Sequence, residues 1–171
     1  MKKPIQYLLV GFPYSGKTTL AKALENKLGF SHINIDQLKF DKGYKDAGDD
    51  DVPDKVWEEI FKEADKLITG YLKKGKNIAN EYAWITKEWR DRARKVAREI
   101  GFETKVIYIK LPQDIIRQRW LENSKTKARF HWPEEEFKRY LQDFEEPAQD
   151  ENVILYDQLT DVGEWINKNF K

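Results

Sequence analysis

A chain of 171 residues with 40% hydrophobic and 13% aromatic content can close one core, and no second folded domain is expected. Lysine and arginine number 31 against 30 aspartate and glutamate, so the chain is not polycationic, and nucleic-acid affinity would need a local patch. The lack of cysteine excludes disulfides and thiolate metal sites, and no apolar run has membrane-spanning length or a secretory pattern; a cytoplasmic protein without membrane or stable protein partner is expected.

The first strand is expected at about 5–10, followed by "GFPYSGKT" at 11–18 and a helix from Gly16 to about Leu28 that buries Leu20, Ala21, Leu24 and Leu28. Gly11, Gly16, Lys17 and Thr18 fill the pattern G-x-x-x-x-G-K-[ST] between a strand and a helix, the context a phosphate loop requires. The two glycines permit a tight loop whose backbone N–H groups face phosphate oxygens, and the helix N-terminus adds partial positive charge. Lys17 then reaches the β- and γ-phosphates, Thr18 binds the Mg²⁺ that bridges them, and Tyr14, Ser15 and Thr19 complete the nucleotide contact. A plain strand–turn–helix corner is the alternative.

"SHINI" reads as a short second strand, after which Gly43, Gly48 and five aspartates between 46 and 54 mark an irregular stretch. A helix follows with Val56, Trp57, Ile60, Phe61, Ala64, Leu67, Ile68 and Tyr71 on one stripe, closed by "KKGKN". The third strand is "NIANE", a helix covers about Thr86 to Ile100, and "TKVIYIKL" is a buried strand. Pro112 opens the next helix, suited by its fixed φ. A basic segment to Trp132, a helix from Pro133 to Phe144, the strand "NVILY" and a helix bearing Val162, Trp165, Ile166 and Phe170 complete the chain. This alternation predicts an α/β fold of three layers, a five-stranded parallel sheet between helices, as one domain over 1–171 with an arginine-containing lid at about 120–135.

No Asn-Lys-x-Asp run is present to read guanine, and "NKLG" at 26–29 lies inside a helix, so a guanine-specific switch protein is disfavoured. The loop, together with Asp36 and Lys39 in "DQLK", Glu81 ending "NIANE", Arg117, Arg119 and Arg129 in the basic segment and "FEEP" at 144–147, resembles the P-loop kinases related to 5′-hydroxyl polynucleotide kinases. That group borders the zeta-toxin and chloramphenicol phosphotransferase families. The resemblance covers nearly the whole chain, and only its first motif is specific. Its members usually carry glycine where Tyr14 stands, arginine where Lys39 stands and aspartate where Glu81 stands; these departures leave phosphate binding intact and put the acceptor in question.

Asp36, at the carboxyl end of a strand, is the candidate general base for an acceptor hydroxyl, the role the resemblance also implies; helix capping is the alternative. Glu81 is the candidate partner of Mg²⁺ through water, or else of a basic side chain, and Lys39 and Glu81 are expected beside the acceptor. Arg119 and Arg129 are assigned to charge on the transferring phosphoryl and Arg117 to the nucleotide, with a solvated basic face as the alternative. The pair at 117 and 119 cannot face the same way on a helix. Trp120 and Trp132 read as packing groups. The basic surplus in "TKEWRDRARKVAR" would suit a polynucleotide, whereas the five aspartates would repel one and favour a small neutral or cationic alcohol, or else form a solvated loop. The expectation is an ATP- and Mg²⁺-dependent kinase for a small-molecule acceptor. The alternatives are a polynucleotide 5′-hydroxyl kinase and a slowly hydrolysing regulatory protein.

Overall fold

The computed structural model describes residues 3–170. In chain order these form β1 (Ile5–Val10), α1 (Lys17–Leu28), β2 (Ser31–Asn34), α2 (Ile35–Asp41), α3 (Asp54–Lys73), β3 (Ile78–Glu81), α4 (Lys87–Glu99), β4 (Glu103–Ile109), α5 (Gln113–Thr126), α6 (Glu134–Asp143), β5 (Val153–Tyr156) and α7 (Val162–Asn169). The five strands are parallel in the order β2-β3-β1-β4-β5. Because side chains alternate across a strand, Leu8 and Val10 face one layer and Tyr7 and Leu9 the other, and both faces of the sheet are covered. On the first face α3 contributes Ile60, Phe61, Ala64, Ile68 and Leu72, and α4 contributes Ala93 and Ala97. On the second, α1 contributes Leu20, Ala21 and Leu24, and α7 contributes Trp165 and Ile166. Each fully buried leucine, isoleucine or phenylalanine adds roughly 1.5–3 kcal/mol relative to exposure, so this double covering supplies the main driving force for the sheet.

Four sequence expectations change here. Leu28 is 38% exposed, because α1 ends there and Gly29 turns the chain away at φ 67°. The second strand stops at Asn34, and residues 35–41 form α2 instead of joining an irregular stretch. Asn34 is the reason: its side chain accepts the Gln37 N–H, so Asn34, and not Asp36, caps this helix. The aspartate-rich segment tightens into a 3₁₀ turn at Asp49–Asp51, and the fourth strand ends at Ile109.

The carboxyl ends of the strands carry a third cluster built from Phe12, Tyr14, Ile116 and Phe137. Trp120 stacks on Phe137 with ring centroids 5.0 Å apart, and its indole N–H donates to the Trp132 carbonyl at 2.9 Å. Phe144 of "FEEP" lies against Phe12 at 4.5 Å, while the Glu145 carboxylate accepts the Lys87 N–H at 2.7 Å. This segment therefore joins the floor of the phosphate loop to the start of α4.

Candidate active site at the phosphate loop

Residues 11–16 bend between β1 and α1 for two separate reasons. A Cβ on Gly11 would lie 2.8 Å from both the Ile109 carbonyl and the Ser15 hydroxyl, so this glycine is required by close packing. Gly16 takes φ 98°, which an L side chain adopts only with strain. Tyr14 also takes a positive φ, 65°, which explains why a glycine would suit this place. A left-handed conformation costs a residue with a Cβ roughly 1–2 kcal/mol. The Tyr14 ring offsets that cost by burial against Phe137. Its hydroxyl donates to the Phe130 carbonyl at 3.1 Å and accepts the Trp132 N–H at 3.2 Å.

Across the loop lies a cavity of about 170 Å³ whose walls include Gly16, Lys17, Thr18, Asp36, Glu81 and Arg129. The Lys17 ammonium donates to the carbonyls of Gly11 and Phe12 at 3.0 and 2.8 Å. Burial holds its pKa below the ordinary lysine value, opposed by the carboxylates of Glu81 and Asp36. The Thr18 hydroxyl donates to Glu81, whose other oxygen accepts from His32 at 2.7 Å and from Asn34 at 3.2 Å. Burial alone would raise the Glu81 pKa; the His32 and Thr18 hydrogen bonds and the Lys17 charge outweigh it and keep the carboxyl below its usual range.

Asp36 is in the opposite condition. Its Oδ1 is buried without a hydrogen-bond partner, and burial followed by the neighbouring Asp49 carboxylate pushes its pKa from 3.8 to about 6, against the pull of Lys39. Two carboxyl groups of one pocket are thus driven apart in acidity, the pattern by which a site separates a proton acceptor from a fixed anion.

Residues 7–147 match the family described as an AAA domain. The chain belongs to this family. An additional similarity joins this AAA-domain chain to a shikimate kinase from Chloroherpeton thalassium, 28% identical over 110 residues, which is 64% of this chain and only 56% of that protein's length. Among solved structures, the fold resembles a sugar kinase from Janibacter sp. HTCC2649 with a TM-score of 0.68 at 18% identity, covering 96% of this chain and 91% of the other. It also resembles a gluconokinase from Sinorhizobium meliloti 1021, with a TM-score of 0.64, 17% identity and coverage of 98% and 90%. The Mycobacterium tuberculosis APS kinase CysC, solved with AMPPNP and APS, gives a TM-score of 0.67 at 17% identity, with coverage of 98% and 96%. The AAA-domain chain therefore has the α/β fold of P-loop kinases.

The remaining candidate residues divide. Arg119 reaches the loop, its guanidinium donating to the Tyr14 carbonyl at 3.0 Å and to Gln158 at 3.2 Å, and Gln158 in turn donates to the Ser15 carbonyl. The Arg129 guanidinium lies 5.7 Å from the centre of the Tyr14 ring and lines the cavity. Arg117 is exposed on the opposite side of α5, in the field of Glu134 and Lys138 on α6, and the structure does not bring it to the loop. Thr19 is exposed on α1, while the Ser15 hydroxyl is buried inside the loop without a partner. Lys39 lines the cavity, but its ammonium is held by the Ala47 carbonyl and by Asp49, each at 3.1 Å. His32, Asn34 and Gln158 are the contributors that sequence reasoning missed.

The basic surplus of α4 is largely neutralised within the protein. Arg90 is fully buried and forms a two-pronged pair with Glu151 at 2.8 and 2.9 Å; Arg92 pairs with Asp65, Arg94 with Asp91 and Glu151, Lys87 with Asp91, and Lys95 with Glu99. This helix is laced by ion pairs rather than presented as a cationic track.

Proposed function

We propose that this protein is an ATP-dependent kinase that transfers the γ-phosphoryl group to the hydroxyl of a small molecule. The observation that carries this reading is the buried, unpartnered carboxylate oxygen of Asp36 in the same small cavity as the Lys17 ammonium. A carboxyl with a pKa raised to about 6 is matched to accepting a proton near neutral pH. In the transfer, the acceptor oxygen bonds to the γ-phosphorus while the bond to the β–γ bridging oxygen breaks. ADP keeps that electron pair, and the hydroxyl proton passes to Asp36. Lys17 exchanges its loop carbonyls for phosphate oxygens, and the loop N–H groups hold the remaining charge. Arg129, and Arg119 through the loop, lie where negative charge accumulates on the transferring group.

The adjacent oxygens of Thr18 and Glu81 fit a hard cation that also takes phosphate and water ligands. Among the described residues no group of three or more His, Cys, Asp or Glu forms a metal cage, so Mg²⁺ would be held by these two residues together with the nucleotide. The ion would supply Lewis-acid neutralisation of phosphate charge. His32 and Asn34 orient the Glu81 carboxylate for this task.

The small-molecule kinases among the similar proteins support this acceptor class over a 5′-hydroxyl polynucleotide, as do the neutralised arginines of α4. We place the protein in the cytoplasm; among the described residues no helix is long and apolar enough to cross a membrane. The test is ADP release from Mg-ATP with and without nucleosides, sugars, amino alcohols and 5′-hydroxyl oligonucleotides. Stimulation by a small alcohol, lost in Lys17→Ala, is the expected result. Stimulation by the oligonucleotide alone, or acceptor-independent slow hydrolysis, would replace this reading with one of its two alternatives.

A further inference from the structure

A second and larger cavity, about 1050 Å³, adjoins the phosphate pocket; Ala83 lies in the wall of both. It is an open cleft bordered by the Asp49–Val52 turn, the start of α3, the loop from β3 into the first turns of α4, and Arg139 and Tyr140 in the middle of α6. Its apolar wall is aromatic. Trp57 meets Phe61 and Tyr82 at 5.9 Å each, and Phe61 stacks on Trp89 at 5.3 Å, leaving Trp89 41% exposed.

The charges of this wall do not balance. Arg139 is paired with Asp50 at 2.8 Å and Arg92 with Asp65 at 2.9 Å, the latter lying over the Phe61 ring at 4.3 Å. Asp49 is held by Lys39, by the Tyr140 hydroxyl at 2.5 Å and by Tyr82. Among the described residues, Asp54, Glu58 and Glu88 line the cavity without an ion pair, and Lys62 is the cation left to face them. An aromatic wall bearing unpaired carboxylates attracts an organic cation through ring faces and long-range charge together, and it repels phosphates.

Resting on the kinase reading above, we propose that this cavity is the acceptor subsite, and that the acceptor is a hydroxylated organic cation with an apolar body. The cationic part would lie against Trp57 and Trp89 under the field of Glu58 and Glu88, and the hydroxyl would extend past Ala83 to the unpartnered oxygen of Asp36. The volume suits a molecule of drug-like size rather than a three- or four-carbon alcohol.

The test is calorimetric titration of the Lys17→Ala protein, which binds without turnover. The probes are benzyl-dimethyl-(2-hydroxyethyl)ammonium and the uncharged isostere in which carbon replaces the quaternary nitrogen. The cation should bind about tenfold or more tightly than its isostere. The Glu58→Gln/Glu88→Gln double variant, both substitutions at exposed positions, should lose most of that preference. Equal binding of the two probes, or binding of neither, overturns the subsite. Phosphoryl transfer in the wild type is measured separately. Preferential cation binding with no ATP turnover on any acceptor removes the kinase reading and leaves the cation site standing. Turnover on another acceptor while the cation does not bind removes the cation site and leaves the kinase reading standing.

Discussion

Replacing Asp36 by asparagine should make this protein more stable and less active at once. The carboxyl has a pKa of 3.8 when solvated and about 6 in the fold, a difference worth about 3 kcal/mol against the ionised folded state. Because the folded value is the higher one, the cost is absent well below pH 3.8, builds as pH rises and is complete above about 6. An amide at this position never ionises and so escapes it. In urea unfolding the variant's advantage should be a few tenths of a kcal/mol at pH 4, about half its full size at pH 5, and on the order of 3 kcal/mol at pH 7 to 8, with m unchanged. Over the same range the variant's kcat should fall by orders of magnitude while ATP affinity stays near normal. In the wild type, kcat/KM should rise with pH through a midpoint near 6. A variant less stable than the wild type at pH 7, or an advantage that does not change with pH, would refute the claim that Asp36 is held as a destabilised base.

Three other substitutions test the surrounding structure. Tyr14→Phe keeps the buried ring but removes both hydrogen bonds to residues 130 and 132; it should cost about 1–3 kcal/mol and speed proteolytic cleavage near Lys127 and Arg129. Gly11→Ala drives a methyl against the Ile109 carbonyl and should lower stability by about 1–3 kcal/mol, measured by thermal unfolding, together with loss of ATP binding. Glu151→Gln leaves Arg90 buried without its countercharge and should cost about 3–5 kcal/mol at pH 7, read by urea unfolding. The Glu151 pKa is depressed to about 2: burial opposes this shift, and the hydrogen bonds from Arg90, Ala148 and Arg94 override it. The stabilisation from this pair is thus present above pH 4.5 and is lost as pH falls toward 2.

The alternation of strands and helices was legible because the central strands β1 and β4 carry the apolar runs "YLLV" and "VIYI", and the phosphate loop because its constraints are local. The stripe on α3 was read correctly for the same reason: Ile60, Phe61, Ala64 and Ile68 recur at helical spacing and are buried. The α2 helix was hidden because Ile33 and Ile35 continue the strand's alternation, while the decisive signal, the cap at Asn34, is a single side-chain contact. Arg90 looked like a surface charge because composition counts residues without their partners. Its position in line with Ala93 and Ala97 on the buried face was the available clue. His32 and Gln158 gave no clue at all. Each meets its partner only through the fold, Gln158 across 143 positions of the chain.

Tyr14 belongs to two parts of the site at once. Its backbone sets the turn of the phosphate loop, and its hydroxyl bridges Phe130 and Trp132 in the segment above. A ligand that reshapes the turn must pull on that bridge, so occupancy below is transmitted as displacement above without a separate relay. In the kinase proposed above, arrival of the nucleotide and any motion of the segment over it would share one mechanical coordinate. The indole of Trp132, tied to Tyr14 through its own backbone N–H, would report such a displacement as a change in fluorescence.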